Sequence, residues 1–101
     1  MQNSRLELHK KFEKLTKNVY YQPPNGTIMH YPAIRYSRTN IDNTFADDVV
    51  YKQNHSYIVT VLDKDPDSKI VDEISRFPTT RFVRHDTIDG LNHDVFIVYY
   101  K

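Results

Sequence analysis

The stretch HDVFIVYY at residues 93–100 is apolar along both of its sides, which limits the folds that can hold it. In a strand, alternate side chains point to opposite faces. One face of this strand would carry Val95, Ile97 and Tyr99, and the other would carry Phe96, Val98 and Tyr100. An antiparallel sheet with one solvated face alternates apolar and polar residues instead. The segment SYIVTVLD at residues 56–63 has the same character, so the sequence predicts a sheet that is buried on both faces.

The N-terminal segment predicts an amphipathic helix. Ser4 and Glu7 form a capping box, in which each side chain bonds the backbone N–H of the other residue. We expect the helix to end near Asn18, before the turn-forming residues QPPNG at 22–26. The apolar stripe of this helix is formed by Leu8, Phe12, Leu15 and Val19.

The rest of the chain predicts strands, a second helix and one long polar loop. Asp89-Gly90 is a strong signal for a two-residue hairpin turn between the last two strands. The predicted strands are 33–38, 56–63 with an extension at 49–53, 80–87 and 93–100, and the loop is 39–48. The 101 residues predict a single domain, residues 1–101. The expected class is α+β, with two helices on one face of a mostly antiparallel sheet of about four strands, in the order α-β-β-α-β-β.

Three acids alternate in DKDPDS at residues 63–68. A calcium loop would need a glycine where Ser68 stands and a bidentate glutamate where Ile74 stands. A DxD phosphotransferase nucleophile would need further motifs on later parallel strands, for which the chain has no room. The capping rules predict Asp65 as the N-cap and Pro66 as the first helical residue. The segment is therefore interpreted as a helix start, and the stripe that this helix buries is expected to be Ile70, Val71, Ile74 and Phe77.

Two His–Asp dipeptides, His85-Asp86 and His93-Asp94, flank the predicted turn. Around a two-residue turn His85 lies opposite Asp94 and Asp86 lies opposite His93, and these neighbouring pairs point to opposite faces. Each face then receives one pair without a third ligand. The pattern therefore favours pairs that fix the register over a zinc site or a catalytic dyad, and no cofactor is expected.

Composition excludes several classes of protein. The chain has no cysteine, which rules out disulfides and thiolate metal sites. No apolar run approaches the roughly 20 residues that cross a bilayer, and the N-terminus lacks the apolar segment of a secretory signal. The formal net charge of +1 requires no nucleic-acid partner. A basic helix face, interrupted by Glu7 and Glu13, leaves nucleic-acid binding as an alternative; it consists of Lys10, Lys11, Lys14 and Lys17.

Three segments together resemble a known family. They are YPAI with the NIDN and ADD residues of the loop (31–48), VTVLDKDPDS (59–68) and LNHDVF (91–96). They are similar to the small tail-completion or tail-terminator proteins of tailed bacteriophages, most of all those of phages and prophages of Gram-positive bacteria. The similarity runs from about Leu8 to the end of the chain and rests on the pattern and order of elements.

The resemblance implies a non-enzymatic protomer that assembles into a ring, typically a hexamer. Such a ring caps the tail tube, stops its polymerisation and provides the surface that joins the head. The partners would be further copies of the chain, the tail tube protein and a head-closure or connector protein. The location would be the tail-neck region of the virion, after assembly in the host cytoplasm. A head-closure or neck ring protein is a close alternative, and a phosphatase or metal-dependent hydrolase built on Asp63 and Asp65 is a distant one.

Partner-binding residues are expected in the loop and on the last strand. The loop carries apolar residues among acids, which a free monomer has no reason to expose. Arg35 and Arg38, at the adjacent strand end, are the expected charge partners of the acids. The loop residues are Ile41, Asp42, Phe45, Asp47 and Asp48, and the strand residues are Phe96, Val98 and Tyr100.

Overall fold

The computed structural model describes residues 4–24, 26–46, 49–77 and 79–100, with side chains at all of these positions except 4, 40–54 and 100. The elements are α1 (Ser4–Glu13), β1 (Val19–Tyr21), β2 (Ala33–Ala46), β3 (Val49–Asp63), α2 (Lys69–Ser75), β4 (Thr80–Ile88) and β5 (Leu91–Tyr100). The strands form one sheet in the order β1-β2-β3-β5-β4. The β1–β2 pair is parallel and the other pairs are antiparallel. The α+β class is confirmed, but the sheet has five strands and the predicted order lacked β1.

Strand β1 lies where the sequence predicted the end of the first helix. Helix α1 ends at Glu13, and residue Val19, assigned to the helix stripe, belongs to β1 instead. The Asn18 side chain donates to the Pro32 carbonyl at 3.1 Å, and the Ile34 N–H donates to the Asn18 carbonyl at 2.9 Å. These bonds draw the chain alongside β2. A β-branched residue followed by two tyrosines suits a strand, so tertiary pairing overrides the helical spacing.

The loop predicted at residues 39–48 is wrong. Strand β2 continues to Ala46 and β3 begins at Val49, with Asn40 opposite Ser56 and Ala46 opposite Val49. The predicted extension at 49–53 is confirmed as part of β3. The polar sequence is compatible with this pairing because a two-stranded ribbon outside the body of the sheet does not require alternating apolar residues. Asp47 and Asp48 lie outside the described residues.

The core occupies one face of the sheet, where both helices pack. Phe12 of α1 lies edge-on to the Tyr36 ring, with centroids 5.2 Å apart, and stacks on Phe77 at 5.9 Å. Edge-to-face and stacked pairs of this kind add to the free energy of apolar burial. The predicted stripe of α2 is confirmed, since Ile70 and Ile74 are buried while Val71 and Phe77 pack against the core. The core consists of Leu8, Phe12, Ile34, Tyr36, Tyr57, Val59, Val61, Ile70, Ile74, Phe96 and Val98.

The assignment of Asp65 as a helix N-cap is wrong. Helix α2 begins at Lys69, and its N-cap residue is Ser68. The Asp63 carboxylate accepts the Asp65 N–H at 3.0 Å, and the Asp65 carboxylate accepts the Asp67 N–H at 2.9 Å. These are successive turns closed by aspartate side chains, a geometry that competes with helix formation. The chain therefore turns before the helix starts.

The β4–β5 hairpin has the predicted turn and register. Asp89 and Gly90 have φ angles of 51° and 76°, as a two-residue primed turn requires. Ile88 lies opposite Leu91, and the pairing continues outward without a shift as far as His85 and Asp94. A bulge between Phe82 and Arg84 follows. Neither of the described helices is long and apolar enough to cross a membrane.

We expect Phe12→Ala to lower the free energy of unfolding by about 3–5 kcal/mol, because it leaves a cavity between two aromatic rings. The matched control is Leu6→Ala on the same helix, where the side chain is 47% exposed. Apart from the difference in helix propensity between leucine and alanine, its free energy of unfolding is expected to change by no more than about 0.5 kcal/mol. Urea denaturation measures both. Equal losses for the two variants would contradict the placement of the core under α1.

Candidate functional site

The face of the sheet opposite the helices, called here the open face, carries a central apolar strip. The buried side chains of α1 and α2 pack against the other face of the sheet. Cross-strand pairing places Ile58 beside Ile97 and Thr60 beside Val95 on the open face. We call the open-face apolar residues of β3 and β5 the apolar strip; they are Ile58, Leu62, Val95, Ile97 and Tyr99.

Arginines border the apolar strip on both sides. Arg35 of β2 pairs with Thr60, while Arg84 and Arg81 of β4 pair with Val95 and Ile97. Arg84 Nε donates to the Asp86 carboxylate at 3.0 Å. Arg35 and Arg81 form no ion pair with any residue that the structure describes. The strip is therefore an apolar surface with positive charge along both edges.

The apolar strip is unevenly exposed. Leu62 and Val95 are buried by their neighbours, at 5% and 3% exposure. Ile58 and Ile97 are partly exposed, and Tyr99 is 43% exposed. The accessible apolar area therefore lies toward the Tyr99 end of the strip, where β3 continues beyond β5.

Two residues predicted to bind a partner belong to the core. Phe96 and Val98 are each 1% exposed and lie on the helix-covered face, because the register pairs them with Val59 and Tyr57. The prediction therefore named side chains on the face that the helices cover. The Tyr100 side chain lies outside the described part of the chain.

The predicted arginine pair is also divided. Arg35 and Arg38 are both exposed, but Arg35 is on the open face while Arg38 pairs with the core residue Tyr57 on the opposite one. They therefore cannot meet one partner surface together. Arg81 and Arg84 were missed because the bulge between residues 82 and 84 puts two arginines, three positions apart, on one face. The bulge cannot be recognised from the alternation of side chains in the sequence.

The paired strands β2 and β3 extend beyond the rest of the sheet. Pairing with β1 ends at Tyr36, and pairing with β5 ends at His55. Past the end of β1 the hairpin continues as residues 40–46 and 49–54, which we call the arm, and from Asp42 onward it has no other described strand beside it. Its five residues from Asp42 to Ala46, at about 3.3 Å each, give it a reach of about 17 Å past the end of β5. It makes the molecule elongated, with extents of 52 × 24 × 23 Å.

The arm contains most of the predicted partner-binding loop. Ile41, Asp42 and Phe45 are β2 residues, opposite His55, Asn54 and Val50 in the register. Their side chains are outside the described set, as are Asp47 and Asp48 altogether. The backbone at Ile41, Asp42 and Phe45 is part of a paired ribbon instead of an irregular loop.

The acidic junction 63–68 lines a shallow cavity of about 330 Å³. Its walls are formed by Tyr31, Pro32, Asp63, Lys64 and Asp65. Both carboxylates accept backbone N–H groups of the turns that precede α2. No group of three His, Asp or Glu side chains able to hold a metal ion occurs within the described residues. The geometry supports a structural role for these acids.

One of the two predicted His–Asp pairs forms. His85 Nδ1 lies 2.7 Å from the Asp94 carboxylate, and Thr87 Oγ1 lies 3.3 Å from His85 Nε2. The Thr87 hydroxyl also donates to Asn92 Oδ1 at 3.1 Å, so it joins a polar network across the hairpin. In the second pair, Asp86 accepts from Arg84 instead of from its cross-strand neighbour His93.

An aromatic and basic cluster joins α1 to the sheet. Arg5 donates to the Tyr36 hydroxyl at 3.2 Å, and His9 Nδ1 lies 2.6 Å from the same oxygen. The Arg5 guanidinium also lies 4.2 Å from the centroid of the Tyr21 ring. Burial raises the pKa of Tyr36 above its ordinary value, although the bond from Arg5 acts in the opposite direction. The cluster fixes α1 on the sheet.

The basic helix face considered in the sequence is not continuous. Lys10 and Lys11 lie in the last turn of α1, whereas Lys14 and Lys17 lie beyond its end at Glu13. All four are exposed. They do not form one helical stripe that could follow a phosphate backbone.

Comparisons of this chain with protein-family models, with curated proteins and with solved structures found no match.

Burial raises the pKa of Tyr36 in the folded protein, so the folded state favours the protonated phenol. The resulting contribution to stability is fully present below the pKa of an unfolded tyrosine, about 10. It is lost as the pH rises through the higher pKa of Tyr36 in the folded state. We expect the free energy of unfolding to fall above about pH 10, and to fall less steeply in Tyr36→Phe. Tyr99→Phe, which removes an exposed phenol, is the control. Chemical denaturation at a series of pH values gives the slopes, and identical slopes for wild type and Tyr36→Phe would contradict the assignment.

The hairpin offers a matched comparison of its two His–Asp pairs. A double-mutant cycle on His85→Ala and Asp94→Asn at pH 7 is expected to give a coupling free energy of about 1 kcal/mol, because the two groups share a short hydrogen bond. The same cycle on Asp86→Asn and His93→Ala is expected to give a value near zero. A larger coupling for Asp86 and His93 would show that the hydrogen bonding described for the hairpin is wrong.

Proposed function

We propose that this protein is a structural, non-enzymatic virion assembly protein that forms a ring on the end of a bacteriophage tail tube, where it terminates tail polymerisation and joins tail to head. The observation that carries the proposal is the half-covered sheet. Its core face is closed by both helices, while the open face keeps an apolar strip with Tyr99 43% exposed. An apolar strip between charged borders is typical of a surface that meets another protein.

The elongated shape supports assembly into a ring. The arm projects from one end of the protomer, and the apolar strip lies on the body of the sheet. Two different surfaces on one molecule favour head-to-tail contacts, which close into a ring when the rotation between neighbours closes. A closed ring has no free end, and this property suits a factor that stops the growth of a polymer.

The resemblance in the sequence supplies the proposed partners and the subunit number. The ring is proposed to be a hexamer that contacts the tail tube protein on one side and a head-closure or connector protein on the other. The location is then the tail-neck region of the virion, after assembly in the host cytoplasm. A head-closure ring protein would use the same protomer contacts, and the two roles differ in which partner the ring binds first.

The decisive experiment mixes the purified protein with assembling cognate tail-tube protein and records tube-end occupancy and tube length by electron microscopy. We expect rings at tube ends and shorter tubes at higher concentrations of the protein. Tyr99→Asp is expected to abolish end occupancy with the circular dichroism spectrum unchanged, because it places a charge on the apolar strip. Ile28→Asp, at an 81% exposed position that pairs with no strand, is the matched control and should cap normally.

Three outcomes would redirect the proposal. If the protein never appears at tube ends and tubes form normally without it, tail termination is excluded. Binding to a purified head connector in place of the tube favours the head-closure role. Salt-dependent retardation of DNA in a gel shift, lost on replacing Lys10 and Lys11 with glutamate, favours nucleic-acid binding.

A further inference from the structure

The projecting part of the arm is long enough for the exposed end of the apolar strip. The exposed side chains of the strip, Ile58, Ile97 and Tyr99, lie between the levels of Ile58 and Ser56 on β3, and the arm projects from Asp42 to Ala46. At the usual rise of a strand, the five projecting residues span about 17 Å and the three strip positions about 10 Å. A ribbon of this length covers the exposed end of the strip.

The arm and the apolar strip also match in charge. The arm sequence NIDNTFADDVVYKQN, at residues 40–54, contains three acids and one lysine. The open face presents Arg35 on one border of the strip and Arg81 on the other, neither of them in an ion pair with a described residue. An acidic ribbon that also contains Ile41 and Phe45 therefore has the composition that an apolar surface between arginines would bind.

The arm of a protomer cannot fold back on its own strip. Strands β2 and β3 run continuously from the sheet into the arm, so the arm continues in the direction of the strands and away from the sheet. The long axis of the molecule, 52 Å against 24 and 23 Å for the other two, reflects this extension. An arm that lies over the strip must therefore belong to another molecule.

We infer that the arm of one copy lies along the apolar strip of the next copy, between Arg35 and Arg81. The contact is head-to-tail: each chain supplies an arm on one side and accepts an arm on the other. This inference rests on the proposed ring-forming role and identifies the two surfaces that join neighbouring subunits. Loss of either surface removes one half of every contact in the ring.

The test uses the absence of cysteine from the sequence. One chain carries Asn43→Cys in the arm, and a second, mass-tagged chain carries Ser37→Cys on the open face, where Ser37 pairs with Ile58. The two are mixed and treated with a short flexible bis-maleimide. The expected product is the 1:1 heterodimer, in at least about tenfold excess over dimers of the arm variant alone, as an oriented electrostatic contact predicts.

Controls separate this contact from random collision. Glu13→Cys, exposed on α1 and away from the open face, replaces Ser37→Cys and should react only at the background level. Adding Arg81→Glu to the Ser37→Cys chain should lower the heterodimer yield at least about tenfold, since it brings like charges together. Arg76→Glu is the matched charge change at the C-terminal end of α2, where Arg76 pairs with Glu73 at 3.6 Å, and should leave the yield unchanged.

A complementation experiment tests the head-to-tail geometry. In an armless variant, Asn-Gly replaces residues 42–54 and leaves Ile41 opposite His55 as the closing pair of a short hairpin. Neither this variant nor Arg35→Glu with Arg81→Glu should assemble alone. Their mixture retains one productive contact and should stop at a 1:1 dimer in sedimentation velocity. The full chain with both Asn43→Cys and Ser37→Cys should give a cross-linked ladder that ends at the ring number.

Equal cross-linking to Glu13→Cys and to Ser37→Cys, or a predominance of dimers of the arm variant, would overturn the inference. So would normal assembly of the armless variant. If that variant still occupies tube ends, the tail-terminator role stands and the arm contact fails. If the arm contact forms in solution but the protein never binds tubes, the contact stands and the tail-terminator role fails.

Discussion

Two helices of ten and seven residues are too short to cover both faces of a five-stranded sheet, and the rest of the structure follows from this limit. The strands β3 and β5 are apolar on both sides, so one set of their side chains packs under the helices and the other set remains. The buried set closes a core around Phe12 and Tyr36. The remaining set forms the apolar strip, in which Ile58, Ile97 and Tyr99 keep exposed area.

Local chemistry made part of this fold predictable. Asp89 and Gly90 adopt positive φ angles, so the turn fixes the register of β4 against β5 without help from distant residues. The stripe of α2 was predicted for a similar reason, because Ile70 and Ile74 repeat at helical spacing. Which face of β5 the helices cover could not be predicted from the local sequence. It depends on how β3 aligns with β5, and that register gives Phe96 and Val98 to the helices and Ile97 and Tyr99 to the open face.

The arm and the arginines beside the apolar strip were not predicted from the sequence, for physical reasons. A two-stranded ribbon outside the body of the sheet need not alternate apolar and polar residues, so a sequence such as TNIDNTFADD cannot be told from a loop. The bulge beside Val83 changes the face of every later residue in β4, which brings Arg81 and Arg84 together on the open face. Strand β1 was missed because Val19 fits a helical stripe as well as a strand, and a long-range bond from Ile34 to Asn18 decides between them.

The edge strand β4 is poorly suited to pairing with a strand of another copy. Strand β4 is an outer strand whose residues are exposed from Arg81 to Ile88, and such an edge could pair with a strand of another copy. Its bulge and its charged residues Arg81, Arg84 and Asp86 work against that pairing, because they distort the ladder and place charges along it. On the opposite side β1 has three residues and covers β2 only from Ile34 to Tyr36. The proposed association on the open face gains apolar burial at the Tyr99 end of the apolar strip, where Tyr99 is 43% exposed.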